Sequence, residues 1–352
     1  MTDAFTLMNP GPINVHPRVR EALANSPDQC HREHEYLDMQ SRVRAKLVEV
    51  FGVADDYDAV LVSGSGTAAM EMMVSSAAGE GVLVLDNGVY GDRLAQMAEV
   101  HGVRTKRLTA DWQARHDPAA VEAALEDGID TIALVHHETT TGLLNDVPAI
   151  AEVAHRTGRR LLVDSVSGLA GETFDFDAVA PTAVCCTANK CIEGLPGVSF
   201  VLLRKGTALT KRSVYFDMAN QLAKQEAGGT PFTPAIQVTA AFEAALDVLA
   251  EETVAGRIAR YGRASAAIRG HMADLGLALL LPDAQLSKTI TCARLPEGVA
   301  YDQIHTRMRE DGFVLYAGQG DLGRIAFRVA NMGQISDERL ADFGVALKRA
   351  IS

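Results

Sequence analysis

The chain has 352 residues, of which 47% are hydrophobic and 22% charged, so it can bury a large core and is long enough for two domains. Its formal net charge of -12 comes with no lysine- or arginine-rich face, which argues against nucleic acid as a partner. The N-terminus has no signal-like apolar segment, no run is long enough to span a bilayer, and the five cysteines form no CxxC pair, so we expect a cytoplasmic protein with reduced thiols.

The first two-thirds of the chain alternate between short apolar runs and helical patterns. The apolar runs are rich in Val, Leu and Ile, are bounded by Gly, Asp or Ser, and are typical of buried strands. They occupy residues 59–64, 81–88, 131–138, 160–167, 182–188 and 198–205. Residues 68–78 are one of the intervening helical segments, with apolar side chains at helical spacing. This alternation predicts an α/β fold, with a mainly parallel sheet sandwiched by helices.

The C-terminal third has a different pattern, with long alanine-rich helices followed by a few strands. Helical patterns cover 235–250 and about 257–275, the strand patterns are 288–295, 312–318 and 324–329, and a last helix covers 337–350. We therefore predict a large domain over 16–245 and a smaller α/β domain over 246–352, with residues 1–15 packing near the small domain.

The segment "SGSGTAAM" joins a predicted strand to a predicted helix. Glycines at 64 and 66 allow the backbone to approach an anion, and the helix N-terminus offers free N–H groups. Ser65 and Thr67 can add hydroxyl groups, so Ser65, Gly66 and Thr67 are candidate phosphate ligands. The segment is neither a GxGxxG fingerprint nor a P-loop, and many turns of this kind are only tight connections.

Three more polar residues follow predicted strands, where ligands of parallel sheets bind. Asp164 ends the strand in "LLVDSVS", Lys190 follows the strand in "CCTANKCIEGLPG", and Tyr90 follows the strand before "NGVYGDR". A strand-end carboxylate can keep a pyridinium nitrogen protonated, a buried lysine can form a Schiff base, and a flat ring can stack on a planar cofactor. Together with a phosphate site, these residues predict pyridoxal 5'-phosphate as cofactor.

These motifs resemble those of the class V, fold-type I, pyridoxal-phosphate-dependent aminotransferases. The resemblance covers nearly the whole chain, through "MNPGPINVHPRV", "SGSGTAAME", "VHHETTTGLLNDV", "TANKCIEGLPGVSFVL" and "RIAFRVANMG". It implies a seven-stranded type of sheet in the large domain, a cytoplasmic homodimer and active sites at the subunit interface. It further implies the following roles: Lys190 as the catalytic lysine, Asp164, Tyr90, Ser65, Gly66, Thr67, Thr140 and Thr233 as cofactor ligands, and Arg328 and Thr141 as substrate ligands.

The motifs "ETTTG" and "ANKCIEGLPG" resemble most closely the branch that transfers the amino group of 2-aminoethylphosphonate to pyruvate. The stretch "CHREHEY" resembles the broader family instead, so an alanine- or serine–glyoxylate type of reaction, or another aminophosphonate, stays open as the substrate. In relatives, the region that corresponds to "GGTPFTPAIQ" contacts the cofactor phosphate of the neighbouring subunit. Either Thr233 or Thr230 can be the residue that makes this contact here.

Three other interpretations compete with a transaminase. A desulfurase-like lyase would need a reactive cysteine on a loop, whereas Cys292 lies in a strand pattern. A non-catalytic relative would be expected to have lost Lys190, Asp164 or Arg328, which are all present. A metal site is conceivable around His31 and His34 or in the "HHE" triplet, but no third ligand group has zinc spacing, so we expect no metal.

Overall fold

The computed structural model describes residues 5–352, which form twelve α-helices, fourteen strands and two short 3₁₀ turns. The helices are α1 Pro17–Asn25, α2 His34–Val50, α3 Gly66–Ala77, α4 Val89–Val100, α5 Pro118–Ala124, α6 Val147–Arg156, α7 Phe176–Val179, α8 Met218–Glu226, α9 Ile236–Glu252, α10 Val254–Asp274, α11 Tyr301–Glu310 and α12 Asp337–Ile351. The strands are β1 Thr6–Leu7, β2 Tyr57–Gly64, β3 Gly81–Asp86, β4 Arg104–Thr109, β5 Thr131–Val135, β6 His137–Glu138, β7 Leu143–Leu144, β8 Arg160–Asp164, β9 Ala183–Thr187, β10 Gly197–Arg204, β11 Ile290–Arg294, β12 Phe313–Val314, β13 Tyr316–Ala317 and β14 Ala326–Ala330.

A seven-stranded sheet forms the centre of the molecule, in the order β2-β10-β9-β8-β5-β3-β4. Only β10 runs against its neighbours, so the other six strands are parallel to one another. The predicted α/β fold with a mainly parallel sheet sandwiched by helices is therefore confirmed. Because six strands point the same way, their carboxyl ends all lie along one edge of the sheet.

Every apolar run in the first 205 residues is a strand of this sheet. The edge strand β4 is the one that sequence reasoning missed, because its segment "RTKRLT" is polar. Its side chains are half-buried or exposed, whereas those of β3 are all buried. A strand at the edge of a sheet is covered less than a central one, so it loses the apolar pattern by which buried parallel strands are found.

Helices cover both faces of the sheet. Alternate residues of β3, such as Leu83 and Val84, belong to two separate hydrophobic clusters. Leu83 packs in the cluster that includes α2, α6 and α9, and Val84 packs in the cluster that includes α3, α4 and Met218 of α8. Burial on both faces explains why the central strands are continuous apolar runs.

The C-terminal part contains a three-stranded antiparallel sheet in the order β11-β14-β13. We predicted one strand over 312–318, but the structure divides it, because Phe313–Val314 pairs with β1 and Tyr316–Ala317 pairs with β14. Leu315 between them is fully buried. The chain thus changes partner at this residue, and β1 is joined to the C-terminal part of the molecule.

The proposed division into domains stays a prediction. The boundary between residues 245 and 246 lies inside α9, which packs against α1 and α2. Of the predicted N-terminal segment 1–15, residues 1–4 lie outside the described part of the chain. Within residues 5–352, no helix has the length and apolar character needed to cross a membrane.

A buried charged network joins the segment after Lys190 to α10. Arg257 is fully buried, donates from Nη1 to the carbonyl of Cys191 at 2.8 Å and pairs with Glu252. Glu193, also buried, accepts from Arg260 at 2.7 Å and from the Tyr261 hydroxyl at 2.6 Å. These contacts fix the backbone that directly follows the lysine.

Replacing Arg257 with Met should destabilise the fold strongly. Removal of one partner from a buried ion-pair network typically costs about 3–5 kcal/mol, because the remaining charge stays buried without compensation. Urea unfolding, followed by circular dichroism, measures the change. Arg263 lies on the same helix but is exposed, so Arg263→Met is the matched control and should change the midpoint little. Equal effects of the two substitutions would contradict the assigned role of the network.

Candidate active site

Five of the predicted residues lie along the carboxyl edge of the central sheet. Asp164 is the last residue of β8, and Lys190 lies in the turn after β9. Tyr90 lies in the first turn of α4, which follows β3. The turn Ser65–Gly66 joins β2 to α3 at the same edge. The strands thus bring together residues that are more than a hundred positions apart in the chain.

Lys190 lies inside the protein with its amine near an aromatic ring. It is 9% exposed, and Nζ is 5.4 Å from the centroid of the Tyr90 ring. No residue in 5–352 forms a hydrogen bond or an ion pair with this amine. Gly11 lies against the lysine stem, where an added Cβ would be 3.4 Å from Lys190 Cγ, and its φ of +105° favours glycine.

Asp164 is a buried carboxylate with one oxygen still available. Oδ1 accepts a hydrogen bond from the Val166 N–H at 2.9 Å, and the Cys185 thiol is 3.8 Å away. Oδ2 accepts from no residue in the described part of the chain. Burial raises the pKa of Asp164, while the charges of Lys190 and Arg93 act in the opposite direction. A cation or a protonated ring nitrogen at Oδ2 would keep the carboxylate ionised.

The start of α3 has the features of an anion site. Ser65 is exposed and occupies the N-cap position without a side-chain capping bond, so its hydroxyl is available to a ligand. At Gly66, an added Cβ would lie 2.7 Å from Cγ1 of Val166, so only glycine allows the helix to start this close to the segment after Asp164.

Arg93 is a candidate residue that sequence reasoning missed. Its Nη1 donates to the Thr67 hydroxyl at 3.3 Å, and its guanidinium lies 4.8 Å from the centroid of the Tyr90 ring. Arg93 thus places a positive charge between the predicted phosphate site and the predicted stacking ring. Its position one helical turn after Tyr90 in "YGDR" is the signal that could have revealed it.

Glu138, which sequence reasoning considered only as a metal ligand, supports the ring of Tyr90. The carboxylate is fully buried and accepts from the Tyr90 N–H at 3.2 Å and from the N–H and hydroxyl of Thr140. Burial raises the pKa of Glu138, and these hydrogen bonds oppose the shift. The Thr140 hydroxyl donates its proton to Glu138 and also accepts from the Val89 N–H at 3.1 Å, so it is already bonded within the protein.

Arg328, on β14, lies at an open cleft of about 470 Å³. The cleft is lined by Pro10, Gly11, Tyr90, Tyr316, Ala317, Gly318, Gln319, Gly320 and Arg328. Arg328 is the only charged residue in this lining, and it is 7% exposed. Burial lowers the pKa of Arg328, which still leaves a guanidinium charged at neutral pH. Tyr90 and Gly11 contact Lys190 and also line the cleft that contains Arg328. These two residues therefore connect the candidate catalytic lysine with the arginine.

Two predicted site residues lie apart from this group. The Thr141 hydroxyl is buried and donates to the carbonyl of Trp112 at 3.1 Å. Thr233 is exposed and lines a separate cavity with Tyr36, Gln40 and Ser63. The Thr230 hydroxyl donates to the carbonyl of Phe232 at 2.8 Å.

The cysteines do not form a nucleophilic site at the cleft. Cys292 is fully buried in β11, and burial raises its pKa to about 12, so a thiolate would be scarce at neutral pH. Cys185, Cys186 and Cys191 are buried near Asp164 and Lys190, and burial raises the pKa of each thiol. Among residues 5–352, no group of three or more His, Cys, Asp or Glu side chains could hold a metal ion.

Residues 16–331 match the family described as Aminotransferase class-V. The chain belongs to the class V aminotransferases. It is 34% identical to the 2-aminoethylphosphonate–pyruvate transaminase of Klebsiella pneumoniae, over 99% of this chain and 98% of that protein. It is 31% identical to the Vibrio cholerae protein of the same name, over 100% of this chain and 99% of that protein.

Solved structures agree with this assignment. An aspartate aminotransferase of subgroup IV from Thermus thermophilus has a TM-score of 0.90 and 28% identity, covering 98% of each chain. An alanine–glyoxylate aminotransferase from Nostoc sp. has a TM-score of 0.92 and 26% identity, covering 100% of this chain and 96% of that one. The chain is therefore a pyridoxal-phosphate-dependent aminotransferase, as the sequence predicts.

The residues at the sheet edge fit this cofactor. The unpaired amine of Lys190 could hold the aldehyde, and the free Oδ2 of Asp164 could accept the ring N–H. Ser65 and the N-terminus of α3 offer donors to the phosphate, with Arg93 beside them. The roles of the individual residues remain predictions.

Reduction of the purified enzyme with borohydride should attach the cofactor permanently to Lys190, because that amine is buried and free of protein partners. Trypsin does not cleave after a modified lysine. The label should therefore appear in mass spectra on an uncut peptide of residues 161–204, which is bounded by Arg160 and Arg204. Lys190→Ala should lose both the label and the yellow absorbance. A label on another lysine would overturn the assignment.

Proposed function

We propose that the enzyme transfers the amino group of 2-aminoethylphosphonate to pyruvate, giving phosphonoacetaldehyde and L-alanine. The proposal is supported by the names of relatives that are 31–34% identical over nearly the full chain. It is also supported by the cleft, in which Arg328 is the only charged lining residue. Aminoethylphosphonate and pyruvate each have one acid group, so one cation can anchor either of them in turn.

The single cation is the observation that carries the proposal. Aspartate has two carboxylates, and binding both would leave one of them without a cation in this lining. A donor with one acid group avoids this cost. Alanine also meets this condition, and an alanine–glyoxylate aminotransferase has the same fold, so an alanine–glyoxylate reaction is the alternative.

Bound pyridoxal phosphate supplies an electron sink for the pair of electrons left when a proton leaves the amine-bearing carbon of the substrate. In our proposal, Lys190 is the general base that removes this proton. The amine is within reach of the cleft, and its contact with the Tyr90 ring leaves all of its hydrogen-bonding capacity available. Asp164 would hold the proton on the ring nitrogen through Oδ2, and Tyr90 would pack against the ring.

Arg328 orients the substrate while the proton moves. Its guanidinium is held by the carbonyls of Ala317 and Thr139 at 2.9 and 2.8 Å, so the anchor is fixed before the acid group arrives. The same anchor first receives the phosphonate of the donor and then the carboxylate of pyruvate.

We also propose that the enzyme is a homodimer in which Thr233 contacts the phosphate bound by the other subunit. Thr233 is exposed, and its hydroxyl forms no hydrogen bond within residues 5–352, whereas the Thr230 hydroxyl is already bonded to Phe232. The loop is tied to the end of β2 by a bond from the Ala235 N–H to the Ser63 hydroxyl at 2.9 Å. Thr233 is thus the more available of the two threonines.

A screen of single half-reactions tests the substrate. The yellow holoenzyme is mixed with 2-aminoethylphosphonate, alanine, serine or aspartate, each alone, and conversion of the cofactor to its amine form is followed by absorbance. We expect rapid conversion with 2-aminoethylphosphonate, conversion with alanine because it is the amino donor of the reverse reaction, and little with aspartate. Conversion by alanine and serine without any by 2-aminoethylphosphonate would support the glyoxylate alternative and reject the phosphonate assignment.

Substitution of Arg328 by Lys should weaken the use of both acid substrates. Lysine keeps the charge but loses the planar set of donors, and loss of hydrogen bonds to a charged group corresponds to about 10- to 100-fold in KM. The yellow absorbance should remain, because the cofactor contacts are elsewhere. Arg324 lies near the cleft but is exposed and outside its lining, so Arg324→Lys is the control. An unchanged KM in Arg328→Lys would remove the anchor from the proposal.

A further inference from the structure

The hydrogen bonds of Arg328 leave only part of its guanidinium free. Nε donates to the Ala317 carbonyl at 2.9 Å, and Nη1 donates to the Thr139 carbonyl at 2.8 Å and to Oε1 of Gln319 at 3.3 Å. Both N–H groups of Nη1 are therefore used. Nη2 donates to no residue in the described part of the chain, and it is not sealed from solvent. The resemblance implies Arg328 as the substrate anchor, where a planar guanidinium can offer an acid group a fork of two nitrogens, whereas the structure presents one free nitrogen.

Gln319 is the residue that occupies the other half of the fork. It lies between β13 and a 3₁₀ turn, Gly320–Arg324, and lines the cleft beside Arg328. Its backbone is held by a tight turn, since an added Cβ at Gly318 would lie 2.5 Å from the Leu322 backbone. Its side chain is half-buried, and Nε2 donates to no residue within 5–352. The amide thus has one end bound to the anchor and one donor group unused.

We propose that Gln319 is a specificity-determining residue, which favours phosphonate over carboxylate at the Arg328 anchor. Its Oε1 holds one N–H of Nη1 until an acid group enters, and rotation of the amide then releases this N–H and lets Nε2 donate to the same acid group. The proposal rests on the proposed function, because it takes Arg328 as the anchor. Rotation about the last side-chain bond of glutamine is soft, so the exchange requires no movement of the fixed backbone.

The number of acceptor oxygens determines which acid group gains most from this exchange. A carboxylate has two oxygens and can be served largely by the two N–H groups of Nη2. A phosphonate has three oxygens and more charge, so it needs the additional N–H of Nη1 and the N–H of Gln319. Removal of the amide should therefore weaken the binding of phosphonates. Carboxylates keep their hydrogen-bond donors and gain an N–H of Nη1 that is no longer occupied.

Equilibrium binding of unreactive acids to the yellow holoenzyme tests this inference without relying on turnover. The probes are ethylphosphonate and propionate, and their dissociation constants are measured by titration calorimetry. Gln319→Leu should raise the dissociation constant of ethylphosphonate by about tenfold, which is the effect of one lost hydrogen bond to a charged group. The dissociation constant of propionate should change by less than about threefold. Gln303→Leu is the matched control, since Gln303 lies on α11 and bonds to the Ala350 carbonyl.

Gln319→Glu provides a second, independent test. The new carboxylate would pair with Arg328 and repel both acids, so both dissociation constants should rise by at least about tenfold, while the yellow absorbance is retained. Equal changes of the two probes in Gln319→Leu, or no change in either substitution, would overturn the role of Gln319. Failure of the proposed function is distinguishable, because it would appear in the half-reaction screen as no conversion by 2-aminoethylphosphonate, whereas binding of the two probes does not depend on turnover. Wild-type binding of both probes by Arg328→Lys would instead remove the anchor on which the role of Gln319 rests.

Discussion

A buried amine and a buried carboxyl group at one sheet edge, each with unused bonding capacity, are the constraint on which the site depends. The amine of Lys190 contacts the Tyr90 ring without a hydrogen bond from residues 5–352, and Asp164 retains a free Oδ2. Burying an amine or a carboxyl group without a full set of bonding partners costs folding free energy. Pyridoxal phosphate would compensate both groups in the proposed roles, because its aldehyde reacts with an amine and its ring nitrogen can carry a proton. Cofactor binding should therefore stabilise the fold as well as enable the chemistry.

The surrounding structure keeps these two groups in place. Arg257 holds the carbonyl that follows Lys190 and is itself fixed by a buried network of acids. Glu138 holds Tyr90 in a similar way, since its carboxylate accepts from the Tyr90 N–H at the start of α4 and from the Thr140 hydroxyl. Neither residue is at the cleft, so they act by positioning others. Networks of this kind are costly to leave incomplete, which ties the geometry of the site to the integrity of the fold.

The substrate end of the site comes from the C-terminal sheet. Arg328 lies on β14 but donates to the carbonyl of Thr139, which follows the central sheet, so one hydrogen bond spans the two parts of the molecule. Gln319 approaches the same guanidinium from the adjacent turn. The cofactor end and the acid-binding end can therefore vary separately. This separation is consistent with relatives of one fold whose names refer to different amino donors.

The order of strands and helices, the cofactor and the family could all be predicted from the sequence, because buried parallel strands leave continuous apolar runs and because their carboxyl ends collect the ligands of the site. Asp164, Lys190 and Tyr90 were predicted for this reason. Only the tertiary structure decided that β4 completes the sheet, that Arg93 lies near the Tyr90 ring, that Glu138 accepts from the Tyr90 N–H, and that Gln319 occupies half of the Arg328 fork. These features depend on which partner each polar group finds, and hydrogen bonds between distant segments have no periodic pattern in a single sequence.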